Sequence, residues 1–213
     1  MRGEPSCPRC GRTLHPPGLW SSAWQCAVHG MVLPLQPVVQ PTVEILAEVC
    51  RRSEVPMWVP WPLPRGWVVT GATTAGDDRT GGRAAVVALS GPAPLGGVGE
   101  MLIVAEEPGV GLGAHYAGLA GPDPGRFDED VAPHAKVQAA GHPTALWVVD
   151  GPSDRATYVG EALGQWLWTV FWPAEAGALL LEDLVLTDLR AIGAERELVP
   201  VGALCPRLAG DRV

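Results

Sequence analysis

Two closely spaced pairs of metal-binding residues lie near the start of the chain. The first pair is Cys7 and Cys10, the second is Cys26 and His29, and fifteen residues separate them. Two intervening residues within a pair let both side chains of one tight turn converge on a single ion. The resulting pattern, C-x2-C-x15-C-x2-H, is typical of structural zinc sites. We refer to these four residues as the Cys3His set.

The Cys3His set predicts a small zinc ribbon over residues 1–36. Four protein ligands fill a tetrahedral zinc shell and leave no position for an activated water, so the predicted zinc is structural. The sequence leaves two alternatives open. His15 in a Pro-rich loop is a possible replacement for His29, and Cys7 with Cys10 is a possible disulfide or redox pair.

Length and charge restrict the remaining chain. Its 213 residues, 47% of them hydrophobic, are enough for one medium domain beside a metal module. The formal net charge is −8, and residues 1–36 hold three arginines against one glutamate, so the acidic charge lies in the rest of the chain. An acidic body repels phosphate backbones, which makes a nucleic-acid partner unlikely.

The chain also lacks the sequence features of export and membrane insertion. It starts with ligand cysteines instead of an apolar run, and its longest nearly uncharged apolar stretch, residues 162–172, is shorter than the ~20 residues of a membrane span. Cys50 and Cys205 stand alone, as expected of buried thiols in a reducing compartment. We therefore expect a cytoplasmic protein without a membrane segment.

The fold class expected from the sequence is α+β, a small N-terminal zinc ribbon followed by a mainly β, mixed α+β domain. Residues 37–66 are predicted to form a linker helix and a Trp/Pro-rich strap, and residues 67–213 the main domain. Thr42 is the predicted N-cap of an amphipathic helix that ends near Arg51 and Arg52.

The main domain alternates apolar runs with turn residues. Residues 157–172 fit a doubly buried strand and, nearly as well, a core helix; residues 186–192 suit a short helix, and residues 197–201 a last strand. The other predicted strands are rich in β-branched residues and span residues 67–72, 83–89, 100–105, 136–140 and 145–150.

The strap between residues 55 and 67 combines alternating prolines with tryptophans. Polyproline II has three residues per turn, which would place Trp58, Trp61 and Trp67 on one apolar face. Two interpretations follow. Either the strap buries its tryptophans over the sheet of the main domain, or it presents them to a protein partner.

One glycine-rich segment matches a dinucleotide-binding pattern. Gly109, Gly111 and Ala114 fit G-x-G-x-x-A after a predicted strand, with acidic residues 128–130 downstream. Glycines and prolines that follow stop any helix after about two turns, so we interpret the segment as a glycine-rich connection.

Candidate catalytic bases outside the ribbon are His115, His134 and His142. None lies in a recognised catalytic motif, and the sequence assigns no catalytic residue. An enzyme of acyl or phosphoryl transfer, using the segment Gly109 to Gly113 and one of these histidines, is the alternative to a binding protein.

Several motifs together resemble a family of uncharacterised actinobacterial proteins of about this length. They are Cys7-Pro-x-Cys-Gly, Trp24-x-Cys-x-x-His-Gly30, Val59-Pro-Trp-Pro-Leu-Pro-x-Gly-Trp67 and Gly76-Asp-Asp-Arg79. Some similar proteins carry a phosphotransacetylase label, although the chain shows no acyl-phosphate or coenzyme A motif. The first two motifs also resemble zinc ribbons in general, which implies the same four ligands with His29 in place of the commoner cysteine.

The leading hypothesis is a zinc-ribbon protein that acts as a binding or regulatory module through a protein partner. The ribbon and the Trp58, Trp61 and Trp67 face are the two expected docking surfaces. The sequence does not specify an oligomeric state.

Overall fold

The computed structural model describes residues 3–19, 21–125 and 131–209. In chain order its strands and α-helices are β1 (Gln25–Cys26), β2 (Gly30–Met31), α1 (Val43–Arg52), β3 (Trp58–Pro60), β4 (Val68–Asp77), β5 (Gly81–Pro92), β6 (Val98–Glu106), α2 (Leu112–Ala117), β7 (Ala135–Ala139), β8 (His142–Val148), β9 (Ala156–Ala162), β10 (Gln165–Trp172) and β11 (Val185–Asp188). Short 3-10 helices occupy Ala174–Leu181, Gly193–Leu198 and Pro206–Ala209. The predicted α+β class, mainly β with few helices, is confirmed.

One large sheet dominates the described part of the chain. It has nine strands in the order β3-β11-β7-β8-β9-β10-β6-β5-β4, and its only parallel pair there is β11 with β7. The ribbon contributes a separate two-stranded sheet, β1 with β2. A bridge between Leu35 and Ala75 joins the end of the ribbon to the edge strand β4.

The central strands β5, β6 and β10 are buried on both faces. Because side chains alternate along a strand, Val87, Ile103 and Phe171 pack on one face with α1, and Val86 with Trp168 packs on the other with α2. Continuous apolar runs are expected of strands covered on both sides, which explains why these segments carry so few polar residues.

Helix α1 follows its sequence signals. The Thr42 hydroxyl accepts a hydrogen bond from the Ile45 N–H at 3.2 Å, which satisfies one unpaired N–H group of the first turn. Leu46 and Cys50 are buried against the sheet. The predicted cap and amphipathic helix are confirmed.

The segment 157–172 is neither a single strand nor a helix. It forms the hairpin of β9 and β10, which reverses at Leu163 and Gly164 with φ of 56° and 76°. Positive φ at both residues suits a tight two-residue hairpin loop. The sequence prediction missed the turn because leucine is not among the residues that usually mark such a loop.

Two predictions near the C-terminus are also wrong. Within residues 186–192, predicted as a helix, the structure has strand β11, which pairs with β3 and β7. Residues 197–201, predicted as a strand, begin in the 3-10 helix Gly193–Leu198 and make one bridge, from Val201 to Val69. Pairing with distant strands outweighed the helical spacing of the apolar residues.

The Trp/Pro-rich strap is part of the sheet. Trp58 lies in β3 and is 1% exposed, Trp67 is 3% exposed, and Trp61 is half-buried with its indole N–H donating to Glu195 at 3.0 Å. The structure therefore agrees with the interpretation in which the strap buries its tryptophans. Strand pairing replaces the polyproline II geometry that would have placed the three rings on one face.

Among the described residues, no helix has both the length and the apolar character to cross a membrane.

Candidate metal centre

The ribbon presents its ligands from two short turns. In the first turn, the N–H groups of Cys10 and Gly11 donate to the Cys7 carbonyl at 3.4 and 2.8 Å. In the second turn, the Val28 N–H points to the Cys26 sulfur at 3.5 Å. Gly11 has a φ of 69°, a left-handed conformation that glycine adopts without strain and that folds the turn back beneath its cysteines.

The structure brings the Cys3His set together. The ligand atoms of Cys7, Cys10, Cys26 and His29 all lie within 4.8 Å of one another. The His29 Nδ1 atom is 3.5 Å from the Cys7 sulfur and 3.7 Å from the Cys26 sulfur, and the Cys10 and Cys26 sulfurs are 3.8 Å apart. Zinc bond lengths imply tetrahedral edges of about 3.8 Å between sulfurs and about 3.5 Å between sulfur and nitrogen.

The structure shows neither a disulfide between Cys7 and Cys10 nor His15 in the cluster. All five cysteines lie in the described part of the chain and are free, so Cys7 and Cys10 form no disulfide here. His15 is exposed and outside the cluster, where its backbone pairs with Gln25 in both directions.

The cysteines of the cluster differ in acidity. Burial raises the pKa of Cys7 to about 12. Burial acts in the same direction on Cys26, but the N–H groups of Val28 and His29 outweigh it and lower its pKa to about 6. Of the two, Cys26 is therefore the cysteine that loses its proton more readily to give the thiolate form that binds metal.

Side chains outside the Cys3His set attach the ribbon to the body. The Trp24 indole N–H donates to Asp77 at 3.2 Å, and Arg79 donates to the Ser22 carbonyl at 2.7 Å. Asp77 also accepts from the N–H groups of Arg79 and Thr80, which fixes the β4–β5 turn. The Gly76-Asp-Asp-Arg79 motif thus shapes the turn and holds the ribbon, a role that the sequence did not reveal.

A second attachment starts between the two cysteines of the first turn. The Arg9 guanidinium donates to the carbonyl of Val110 at 3.1 Å and also to the carbonyl of Gly109. Nothing near Arg9 in the sequence indicates a partner 101 residues away, so this contact could not be predicted.

The backbone N–H groups of the glycine-rich segment are bound by a side chain of the protein itself. Glu106, which is fully buried, accepts hydrogen bonds from the N–H groups of Leu112 at 2.7 Å and Gly113 at 3.1 Å. Burial raises the pKa of Glu106 to about 7, despite these two bonds. A Cβ on Gly113 would lie 2.3 Å from the Trp168 indole, so this glycine permits close packing.

These contacts account for the G-x-G-x-x-A match without a nucleotide. The amides that would hold a phosphate are bound to Glu106, and the acidic residues 128–130 lie outside the described residues.

The candidate bases have no catalytic partners among the described residues. His134 accepts from the Val148 N–H at 3.3 Å, and His142 is exposed on β8. His115 is partly buried on α2, near Gly11 of the ribbon, and burial followed by the Arg155 charge lowers its pKa. Among residues 3–19, 21–125 and 131–209, none of these three hydrogen-bonds to a carboxylate, as a general base in a triad would.

Comparison with known proteins gives a family but no activity. No curated protein and no solved structure matches the chain significantly. Residues 1–208 match the model of a family described as a family of unknown function, DUF6758. Because this match covers nearly the whole sequence, the chain belongs to that family, and the expected membership of an uncharacterised family is confirmed.

Proposed function

We propose that this member of a family of unknown function is a zinc-binding protein that acts as a binding or regulatory module through a protein partner. The observation that carries the proposal is the clustering of the Cys3His ligand atoms at spacings that suit a zinc tetrahedron. Three thiolates and an imidazole are ligands that favour zinc, and a shell of four protein ligands makes the ion structural.

We place this function in the cytoplasm of a bacterial cell. The five cysteines are free. Cys50 and Cys205 are both buried, and they lie far apart in the sequence. Free thiols and thiolate ligands are best preserved where disulfides are kept reduced, which supports the proposed compartment.

Metal analysis of the purified full-length chain tests the zinc site. We expect one zinc per chain in the wild type, and loss of zinc in Cys26→Ser because a serine hydroxyl is a poor zinc ligand. Cys50→Ser is the matched control: it removes a buried thiol outside the cluster and should retain the metal. A wild-type protein without zinc, or a Cys26→Ser variant that keeps it, would refute the proposal.

For the partner, we propose the second turn of the ribbon as the docking surface. Arg9 and Trp24 are engaged with the body, whereas Val28 and Met31 are 56% and 71% exposed. Apolar side chains on a hairpin held rigid by metal suit a protein that offers a complementary apolar patch.

The docking surface is tested by affinity capture from host lysate with three baits. These are the wild type, Val28→Ser/Met31→Ser, and the control Leu95→Ser, which changes an equally exposed apolar residue elsewhere. A specific protein captured by the wild type and the control but lost with the double variant is the expected result. Capture by all three baits would exclude this surface, and no specific capture by the wild type would count against the module itself.

A further inference from the structure

The first metal-binding turn is also a contact with the glycine-rich segment. Arg9 stands between Cys7 and Cys10, and its guanidinium donates to the carbonyls of Gly109 and Val110. Cys7 and Cys10, two of the proposed ligands of one ion, therefore flank the arginine that contacts the body. A change in this turn would move Arg9 directly.

The glycine-rich segment is held from two sides. The body holds its N–H groups, since Gly109 donates to Asp123 at 2.7 Å and Leu112 and Gly113 donate to Glu106. The ribbon holds two of its carbonyls through Arg9. Glycine is required where the two parts meet, because a Cβ on Gly111 would come within 2.9 Å of the Arg9 side chain.

The apolar core of the ribbon is too small to fix the position of the Arg9 turn by itself. The core of the ribbon contains only three buried residues in the described part of the chain, Cys7, Leu14 and Cys26, and two of these are ligands. A module with so small a core derives its folded structure from the ion. The position of the Arg9 guanidinium therefore depends on the metal.

We propose that metal binding and the packing of residues 109–117 are coupled through Arg9, which acts as a metal-dependent clasp. When the metal leaves, Arg9 withdraws and the glycine-rich segment with α2 opens. This inference rests on the proposed function, because it requires the Cys3His set to bind zinc. Coupling of this kind is reciprocal, so the clasp also strengthens zinc binding.

Hydrogen exchange measures the effect of the metal on the glycine-rich segment. The amides of Gly109, Leu112 and Gly113 are followed in the zinc-loaded full-length protein before and after addition of a chelator. In the wild type, chelation should raise their exchange about tenfold or more, since hydrogen bonds from a charged donor shift an equilibrium by about tenfold to a hundredfold. Arg9→Ala should show the fast exchange even with zinc bound.

The control is Arg12→Ala, which removes another arginine charge from the ribbon. Arg12 is exposed, so this variant alters the field around the thiolates without releasing the clasp. The followed amides of Arg12→Ala should exchange at the same rates as those of the wild type. Arg9→Lys keeps the charge but lacks the fork of donors, so it should behave as Arg9→Ala does.

Competition with a chromogenic chelator measures the reciprocal effect, which is the effect of Arg9 on zinc affinity. Arg9→Ala should bind zinc about tenfold more weakly than Arg12→Ala, by the reciprocity of the coupling. Absence of zinc from the wild type would defeat the proposed function itself. Zinc bound in all variants, with amide exchange that neither chelation nor Arg9→Ala changes, would overturn the clasp and leave the zinc site intact.

Discussion

The ribbon and the nine-stranded body reach a folded state by different means. The ribbon has one antiparallel pair of two-residue strands and a core of Cys7, Leu14 and Cys26. The body, in contrast, buries both faces of its central strands. A unit as small as the ribbon buries too little apolar surface to offset the conformational entropy lost on folding. Under the proposed function, the chain relies on metal coordination in its small N-terminal module and on hydrophobic burial in its larger body.

The two regions are nevertheless attached to each other. Trp24 and Arg9 reach from the ribbon to the body, and the backbone of Gln36 donates to Thr74 on β4 at 2.9 Å. These contacts are polar, so they align the ribbon but contribute less to its stability than we propose the metal does.

Metal removal should give the largest difference between the two regions. Structural zinc supplies about 10–16 kcal/mol of apparent binding free energy in isolated fingers, so a chelator should unfold the ribbon while the central strands of the body keep their structure. Hydrogen exchange on the full chain checks both regions at once. Rapid exchange throughout β5, β6 and β10 after chelation would show that the body depends on the ion too.

A cavity in the body should destabilise the body and leave zinc binding by the ribbon unchanged. Phe171 is fully buried in β10, and Phe171→Ala should lower the free energy of unfolding by about 3–5 kcal/mol while the folded protein keeps its zinc. Urea denaturation and metal analysis give the two quantities. Leu95→Ala, at an exposed position, is the control and should change stability by less than about 0.5 kcal/mol. Loss of zinc from folded Phe171→Ala would show that the ribbon depends on the packing of the central strands.

The pH dependence of stability should reveal the buried Glu106. Its folded pKa of about 7 lies above the ordinary value of 4.5, so the folded state retains a proton that the unfolded state has released. Its contribution to stability is therefore complete below pH 4.5 and lost as the pH rises through 7, a change of about 3 kcal/mol.

Glu106→Gln tests this contribution because it cannot ionise. We expect the stability of the wild type relative to this variant to fall between pH 4.5 and 7, and zinc loss at low pH cancels because both proteins share the ribbon. A constant difference across that range would show that the carboxylate ionises with an ordinary pKa.

Loosening of the ribbon attachment should give the smallest effect. Trp24→Phe keeps an aromatic ring but removes the hydrogen bond to Asp77, which costs about 1 kcal/mol and corresponds to about fivefold faster zinc release. Stopped-flow transfer of zinc to a chelator measures this rate. The exposed neighbour Asp78 does not hold Trp24, so Asp78→Asn should leave the rate unchanged. Equal rates in Trp24→Phe and the wild type would show that this attachment does not support the ribbon.

Local spacing and local propensity determined a large part of this structure. The two residues between the ligands of each pair bring Cys7 near Cys10 and Cys26 near His29, because one short turn decides where both side chains point. Thr42 likewise caps its helix through a bond to a residue three positions on. Strands β5 and β6 could be predicted from their β-branched residues, since burial on both faces demands apolar side chains at every position.

Tertiary contacts decided the features that depend on residues far apart in the chain. Strand β11 exists because β3 and β7 are there to pair with it, and Trp58 is buried because its strand joins that sheet. Arg9 contacts a carbonyl 101 residues away, and Trp24 contacts a carboxylate 53 residues away. The sequence specifies the ligands and the turns of the metal site, but the attachment of the ribbon arises only when folding brings distant residues within hydrogen-bond distance.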